Sequence, residues 1–255
     1  MFEAIILGIV QGITEFLPIS STAHLILFPW FFNWNGEVDT LTFDIALHTG
    51  TLLSLILCFW RDWLDLFLKK QRMLLLIIMA SIPAGVAGFL LNDFAETKLR
   101  EPLLISLTLV VVGFLMLIAE KANKHKDIEK TGLKDAIIIG IAQAIAIIPG
   151  VSRSGITISA GLFRGLEREA AAKFSFLLST PIIAGATILH MGKVMHTPEN
   201  HDLRLFIVGL IASCITGYIA IKFLLSFLKK YPLNLFVYYR FILSAIIIVG
   251  LWVKG

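Results

Sequence analysis

Slid 132 positions along itself, this chain falls back into register. Glu3-Ala4-Ile5-Ile6-Leu7-Gly8-Ile9-Val10-Gln11 meets Asp135-Ala136-Ile137-Ile138-Ile139-Gly140-Ile141-Ala142-Gln143, with six of the nine positions identical. At the same offset Ser20 meets Ser152, Arg72 meets Arg204, Ala80-Ser81 meets Ala212-Ser213, and Gly85 meets Gly217. Chance similarity between oily helices accounts for Ile on Ile, but not for Gly, Gln and Ser held in register. The chain therefore reads as two copies of one unit, approximately 1–121 and 133–253, joined by a basic loop 121–134 within a single membrane domain, 1–255.

Each copy holds three long apolar runs, roughly 43–60, 72–91 and 103–120, then 174–190, 205–228 and 235–253. A run near twenty residues rises about 30 Å and spans the hydrocarbon of a bilayer. Only 16% of the residues are charged, against about 25% in a soluble domain. Each copy also opens on a stretch broken at its middle. Met1 to Leu17 and Thr22 to Phe32 flank Pro18; Ala136 to Ile148 and Ile156 to Phe163 flank Pro149-Gly150. At 1.5 Å per residue the arms after the breaks reach only about 12–17 Å, half the membrane. The expected fold is an all-α polytopic membrane protein with six transmembrane helices plus two re-entrant helix-loop-helix hairpins. Three crossings per copy is an odd number, so the copies form an inverted-topology repeat.

Lys and Arg counts set the sidedness. Fifteen of the 22 fall in segments 61–72, 121–134, 164–173 and 222–230, and five in 92–101, 191–204 and at Lys254. The first group reads as cytoplasmic. The net charge of +4 is thus a matter of topology, and no nucleic-acid partner is expected. No basic n-region or convincing cleavage site marks a leader at Met1 to Val10. Cys58 and Cys214 lie in apolar runs and read as small core residues, without disulfide or metal spacing. Tyr238, Tyr239 and the five tryptophans suit interfacial belts and are given no chemistry.

With these orientations the first break enters from outside, the second from the cytoplasm, and their tips meet near the midplane. Gln11 and Glu15, four apart, share a helical face. Ser20, Ser21 and Thr22 follow Pro18 where helix N-caps favour hydroxyls, and His24 lies on the same side of the second arm. The other tip contributes Ser152, Arg153 and Ser154 between Gly150 and Gly155. Two helix N-termini and a guanidinium fork around one cavity suit a phosphate. Each residue also has a plainer role open to it. Hydroxyls beside a proline can repair freed backbone groups. Gln11 and Gln143 can be interhelical glue, and Glu15 with Arg153 a structural ion pair. His48, Asp44 and Arg240 stand at or near helix ends, where polar groups are often structural.

The stretches Gln11-Gly-Ile-Thr-Glu15-Phe-Leu-Pro-Ile-Ser20-Ser21-Thr22-Ala-His24 and Pro149-Gly-Val-Ser152-Arg153-Ser154-Gly155 resemble the undecaprenyl-diphosphate phosphatase family of bacterial inner membranes, the bacitracin-resistance type. The resemblance covers essentially the whole chain and includes Phe43-Asp44-Ile45-Ala46-Leu47-His48 and Phe174-Ser175-Phe176-Leu177-Leu178. It implies hydrolysis of a C55 isoprenoid diphosphate to the monophosphate, a divalent cation, and a site facing the periplasm. The family's first motif often has glutamate where this chain has Gln11. An amide oxygen can still ligate a hard cation, but the carboxylate chemistry then falls on Glu15.

The expected division of labour follows. Glu15, Ser21, His24 and Arg153 are the catalytic candidates, with Ser21 as nucleophile and His24 or Glu15 accepting its proton. Ser20, Thr22, Ser152, Arg153 and Ser154 bind the diphosphate, while Glu15 and Gln11 ligate Mg2+ or Ca2+. Attack by a cation-bound water is the rival. A lipid-phosphate or small-anion transporter on the same inverted repeat, and a non-catalytic scaffold, are the other classes. A homo-oligomer is left open.

Overall fold

The computed structural model describes residues 1–34, 36, 38, 40–195 and 202–254, all-α apart from one isolated bridge. The broken stretches become α1 (Phe2–Phe16) with α2 (Ser21–Phe32), and α6 (Leu133–Ile145) with α7 (Arg153–Phe163). The long helices are α3 (Leu41–Leu68), α4 (Gln71–Lys98), α5 (Pro102–Glu120), α8 (Arg168–Met195), α9 (Leu203–Leu228) and α10 (Asn234–Lys254). These six carry stretches long and apolar enough to cross a bilayer. Their outward faces are oily: Phe89, Leu90, Leu107, Ile188, Ile219 and Trp252 are all exposed. A soluble protein does not present such a continuous apolar surface, whereas lipid covers it at no cost. The protein is a multi-pass helical membrane protein.

Helix ends follow local chemistry. α6 starts at Leu133, earlier than the apolar run, because the Asp135 carboxylate accepts from Gly132 N at 3.0 Å and caps the first turn. It ends at Ile145, and a chain of tight turns leads through Pro149 to Ser152. α3 and α8 run past the oily segment at Leu68 and Arg168, where charged side chains reach water while the backbone stays helical.

The packing crosses between the N-terminal and C-terminal halves of the chain. α1 lies along α9, where a side chain at Gly8 would run into Gly209 O and Ala212 Cβ. α6 lies along α4, where a side chain at Gly140 would run into Ala80 O. Gly8 and Gly140 are counterparts at the 132-residue offset, and so are Ala212 and Ala80. α1 and α6 thus each dock, by a matched small-residue contact, on a helix from the other half of the chain. Small residues let helix backbones approach closely where lipid removes any hydrophobic drive to associate.

The four basic segments gather on one face. Arg168 grips Glu120 with Nε and Nη2 at 2.7–3.0 Å, and Glu120 also accepts from Leu233 N at 2.9 Å. Arg164 and Lys126 converge on Asp135 at 2.7 and 3.3 Å. Lys70 meets Glu129 at 3.1 Å, and this hydrogen bond holds the Glu129 carboxyl below the usual carboxylate range. Lys229 reaches Glu169 and Lys173 reaches Asp62. Residues 196–201, within a segment counted for charge, lie outside the described residues.

Candidate functional site

The breaks between α1 and α2 and between α6 and α7 touch. Each restarts as a helix on a serine with positive φ, Ser20 at φ 76° and Ser152 at φ 70°, a region unusual for a residue other than glycine. Ser20 Oγ accepts from Ala23 N at 3.4 Å, and Ser152 Oγ from Gly155 N at 3.2 Å. Both serines and both amides are counterparts at the repeat offset. Ser154 Oγ crosses between the breaks and donates to Leu17 O at 3.1 Å.

Glu15 occupies the junction and is almost wholly buried, with 4% of its side chain exposed. Its Oε1 faces Arg153 Nη2 at 3.2 Å. Its Oε2 accepts from Ser21 Oγ at 2.6 Å and from Gln11 Nε2 at 3.0 Å. His48 Nε2 stands 3.6 Å from the same oxygen, its Nδ1 donating to Asp44 O. A small cavity of about 30 Å³, large enough for a water molecule, is lined by Glu15, Ser20, Ser21, Thr22, Ser152 and Arg153, with Ala146 and Ile148. It shares Thr22, Ala146 and Arg153 with a larger chamber of about 230 Å³. That chamber is polar at Asp44, His48 and Arg100 and apolar at Leu25, Ile45, Ile147 and Ile183.

Two buried polar atoms here lack a hydrogen-bond partner: Arg153 Nη1 and Gln11 Oε1. A desolvated polar group left unpaired costs about 1–3 kcal/mol; Arg153 and Gln11 contact the Glu15 carboxylate through their other terminal nitrogens, Nη2 and Nε2. Of the two unpaired atoms, one is a donor suited to a phosphate oxygen, the other an acceptor suited to a hard cation. Among the described residues no group of three or more His, Cys, Asp or Glu side chains could hold a metal unaided. One carboxylate and one amide oxygen fit a cation completed by substrate oxygens and water, the usual arrangement for Mg2+ at phosphates.

Of the residues expected at the site, Glu15, Ser20, Ser21, Thr22, Ser152 and Arg153 share the small cavity, with Gln11 directly behind Glu15. Ser154 is committed to Leu17 O and His24 turns away. His24 Nδ1 contacts Ser20 O at 2.7 Å, and Nε2 contacts the Tyr239 hydroxyl at 2.7 Å. Both ring nitrogens are therefore occupied, and Glu15 is the carboxylate that Ser21 touches. Tyr239, expected in an interfacial belt and part-exposed, also contacts this histidine through its hydroxyl. His48 was visible in sequence only through its place in a family-like stretch; Arg240, fully buried, binds both breaks from α10.

Fold and site together define a multi-pass membrane protein with an interior polar cavity arranged for an anion. Residues 4–246 match the family model described as bacitracin resistance protein BacA, and the chain belongs to that family. It is 62% identical over 247 aligned positions to the undecaprenyl-diphosphatase of Thermodesulfovibrio yellowstonii, covering 97% of this chain and 96% of that one. It is 47% identical over 263 aligned positions to the undecaprenyl-diphosphatase of Moorella thermoacetica, covering 100% and 99%. The undecaprenyl-diphosphatase of Elusimicrobium minutum is 41% identical over 260 positions, covering 99% and 98%.

Proposed function

We propose that this chain hydrolyses undecaprenyl diphosphate to the monophosphate and inorganic phosphate in the bacterial inner membrane, recycling the lipid carrier for cell-wall synthesis. The observation that carries the site assignment is the Glu15 carboxylate held between Ser21 Oγ at 2.6 Å and Arg153 Nη2 at 3.2 Å. Phosphoryl transfer has a loose transition state whose charge spreads over the equatorial oxygens, so donors placed around those oxygens supply most of the catalysis.

Arg153, the Ser20, Thr22 and Ser152 hydroxyls and the N-termini of α2 and α7 hold the diphosphate, and Arg153 Nη1 takes a terminal oxygen. Glu15 accepts the Ser21 proton as Oγ attacks phosphorus. The isoprenyl monophosphate departs and takes that proton from Glu15; water then cleaves the phosphoserine, its proton passing to Glu15 and on to Ser21 Oγ as inorganic phosphate leaves. Gln11 Oε1 and Glu15 would hold Mg2+ or Ca2+; such an ion, when bound, neutralises charge across the phosphate oxygens. A phosphoserine trapped at Ser21 favours this sequence, whereas Ser21→Ala retaining most of its rate favours direct attack by water.

The architecture behind this reading is an inverted-topology repeat of 1–121 and 133–253, each copy entering as a re-entrant hairpin. It is supported by the matched serine caps, by the exchanged Gly8–Ala212 and Gly140–Ala80 contacts, and by the length of the arms. α2 has 12 residues and α7 has 11, about 17–18 Å of helix and too short to cross. A periplasm-facing site is favoured because the larger chamber is lined at the ends of α3 and α4, by Asp44, His48 and Arg100, away from the four basic segments. The deciding experiment is chelator-sensitive phosphate release from polyprenyl diphosphate by purified protein, with Glu15→Ala and Arg153→Ala at equal folded yield. Equal rates in all three would refute the assignment.

A further inference from the structure

α10 sends two neighbouring side chains, Tyr239 and Arg240, to the breaks, and neither lines the cavity. Arg240 is 0% exposed, and its hydrogen bonds go to backbone carbonyl oxygens. Nη1 donates to Pro18 O at 3.3 Å, and Nη2 to Gly150 O at 2.8 Å and Val151 O at 3.2 Å. Nε donates to Leu109 O at 3.1 Å. Irregular backbone at membrane depth has carbonyls without helical donors, and each must be satisfied from outside. One guanidinium does this for both breaks at once and ties them to α5. Because its fork is planar and rigid, it also sets the distance between them.

Tyr239 works on the first break alone. A carbonyl oxygen can only accept, so the His24 nitrogen at Ser20 O carries the proton and Nε2 is left as a lone pair. The Tyr239 hydroxyl donates to that lone pair, and the two rings are stacked, 5.7 Å apart and 17° from parallel. His24 is thereby held as one tautomer in one orientation. It grips the carbonyl of Ser20, the residue at φ 76° that precedes Ser21. Rotating the Ser20–Ser21 peptide would carry Ser21 Oγ off the Glu15 carboxylate.

We propose that Tyr239 and Arg240 are positioning residues of this site: Arg240 fixes the separation of the two breaks, and Tyr239, through His24, fixes the Ser20 carbonyl and so the direction in which Ser21 presents Oγ to Glu15. The inference rests on the phosphatase reading for its kinetic consequence, and on the contacts alone for its structural one.

Two conservative variants test it in the purified full-length protein in detergent. Tyr239→Phe keeps the stack and removes only the hydroxyl. Arg240→Lys keeps the charge and removes the fork. A misplacement near 1 Å costs about a hundredfold in rate. Arg240→Lys should therefore lower kcat about a hundredfold and also raise KM, because both breaks hold the diphosphate, whereas Tyr239→Phe should lower kcat about tenfold with KM within about twofold. Nitrogen NMR of histidine-labelled protein, with the His24 signal identified by its loss in His24→Asn, should show the Nε2 resonance move in Tyr239→Phe. Wild-type kcat in Tyr239→Phe, an unmoved His24 resonance, or a kcat loss that only follows lost folded yield and Tm each overturns the proposal. If wild-type protein itself releases no phosphate, the phosphatase reading fails instead, and the resonance still decides whether Tyr239 holds His24.

Discussion

The two breaks share a backbone and differ in what they carry. Ser20 and Ser152 adopt the same positive φ, cap the amides of Ala23 and Gly155, and stand 132 residues apart. At the same offset Glu15 faces Ile147, Ser21 faces Arg153, Thr22 faces Ser154 and His24 faces Ile156. One break thus carries a carboxylate and a hydroxyl in contact, the other a guanidinium. The two turns match in backbone and capping, whereas the side chains around them differ. The pair Gln11 and Gln143 makes the point most directly. Gln11 donates to Glu15 at 3.0 Å, whereas neither amide atom of the buried Gln143 has a partner.

That contrast can be broken experimentally. Glu15→Gln removes the carboxylate in contact with Ser21, and phosphate release at equal folded yield should fall about 10³–10⁴-fold, with a lowered melting temperature because Arg153 loses its buried counter-charge. Arg153→Lys keeps the charge but loses the fork and should cost about 10²–10³-fold in kcat/KM, read by initial rates. Gln11→Leu should weaken activation by the divalent cation about 10–100-fold in a titration of rate against metal. Gln143→Leu, its counterpart, should leave the rate within about twofold and the stability equal or higher, because replacing unpaired amide atoms relieves their desolvation. The smallest effect should be symmetric. Ser20→Ala and Ser152→Ala each lose a cap worth about 1 kcal/mol, visible as matched small drops in thermal midpoint, with the larger loss of activity at Ser20.

Much of this was legible because it is local. The apolar runs, the proline breaks and the i to i+4 relation of Gln11 and Glu15 are short-range patterns, and the structure reproduces them. The meeting of Glu15 with Arg153 followed from the repeat and the charge count. What stayed hidden is long-range and depends on which face α10 turns inward. Tyr239 lies 215 residues from His24 and Arg240 lies 222 from Pro18. An aromatic and an arginine near the end of an oily helix look the same in sequence whether they face headgroups or a buried break. Ser154 shows a second long-range contact: its hydroxyl donates to Leu17 O, since an unpaired carbonyl at a break finds the nearest donor.

Arg240 also bears on the order in which the protein becomes competent. Its acceptors lie at Pro18, Leu109, Gly150 and Val151, all earlier in the chain than α10. A lone guanidinium is costly in lipid, so α10 settles favourably only once those carbonyls are waiting for it. Until it does, the two serine turns lack their common tie. During synthesis the nascent chain therefore carries both serine turns well before they are tied together, and the helix that ties them leaves the ribosome after every carbonyl it binds.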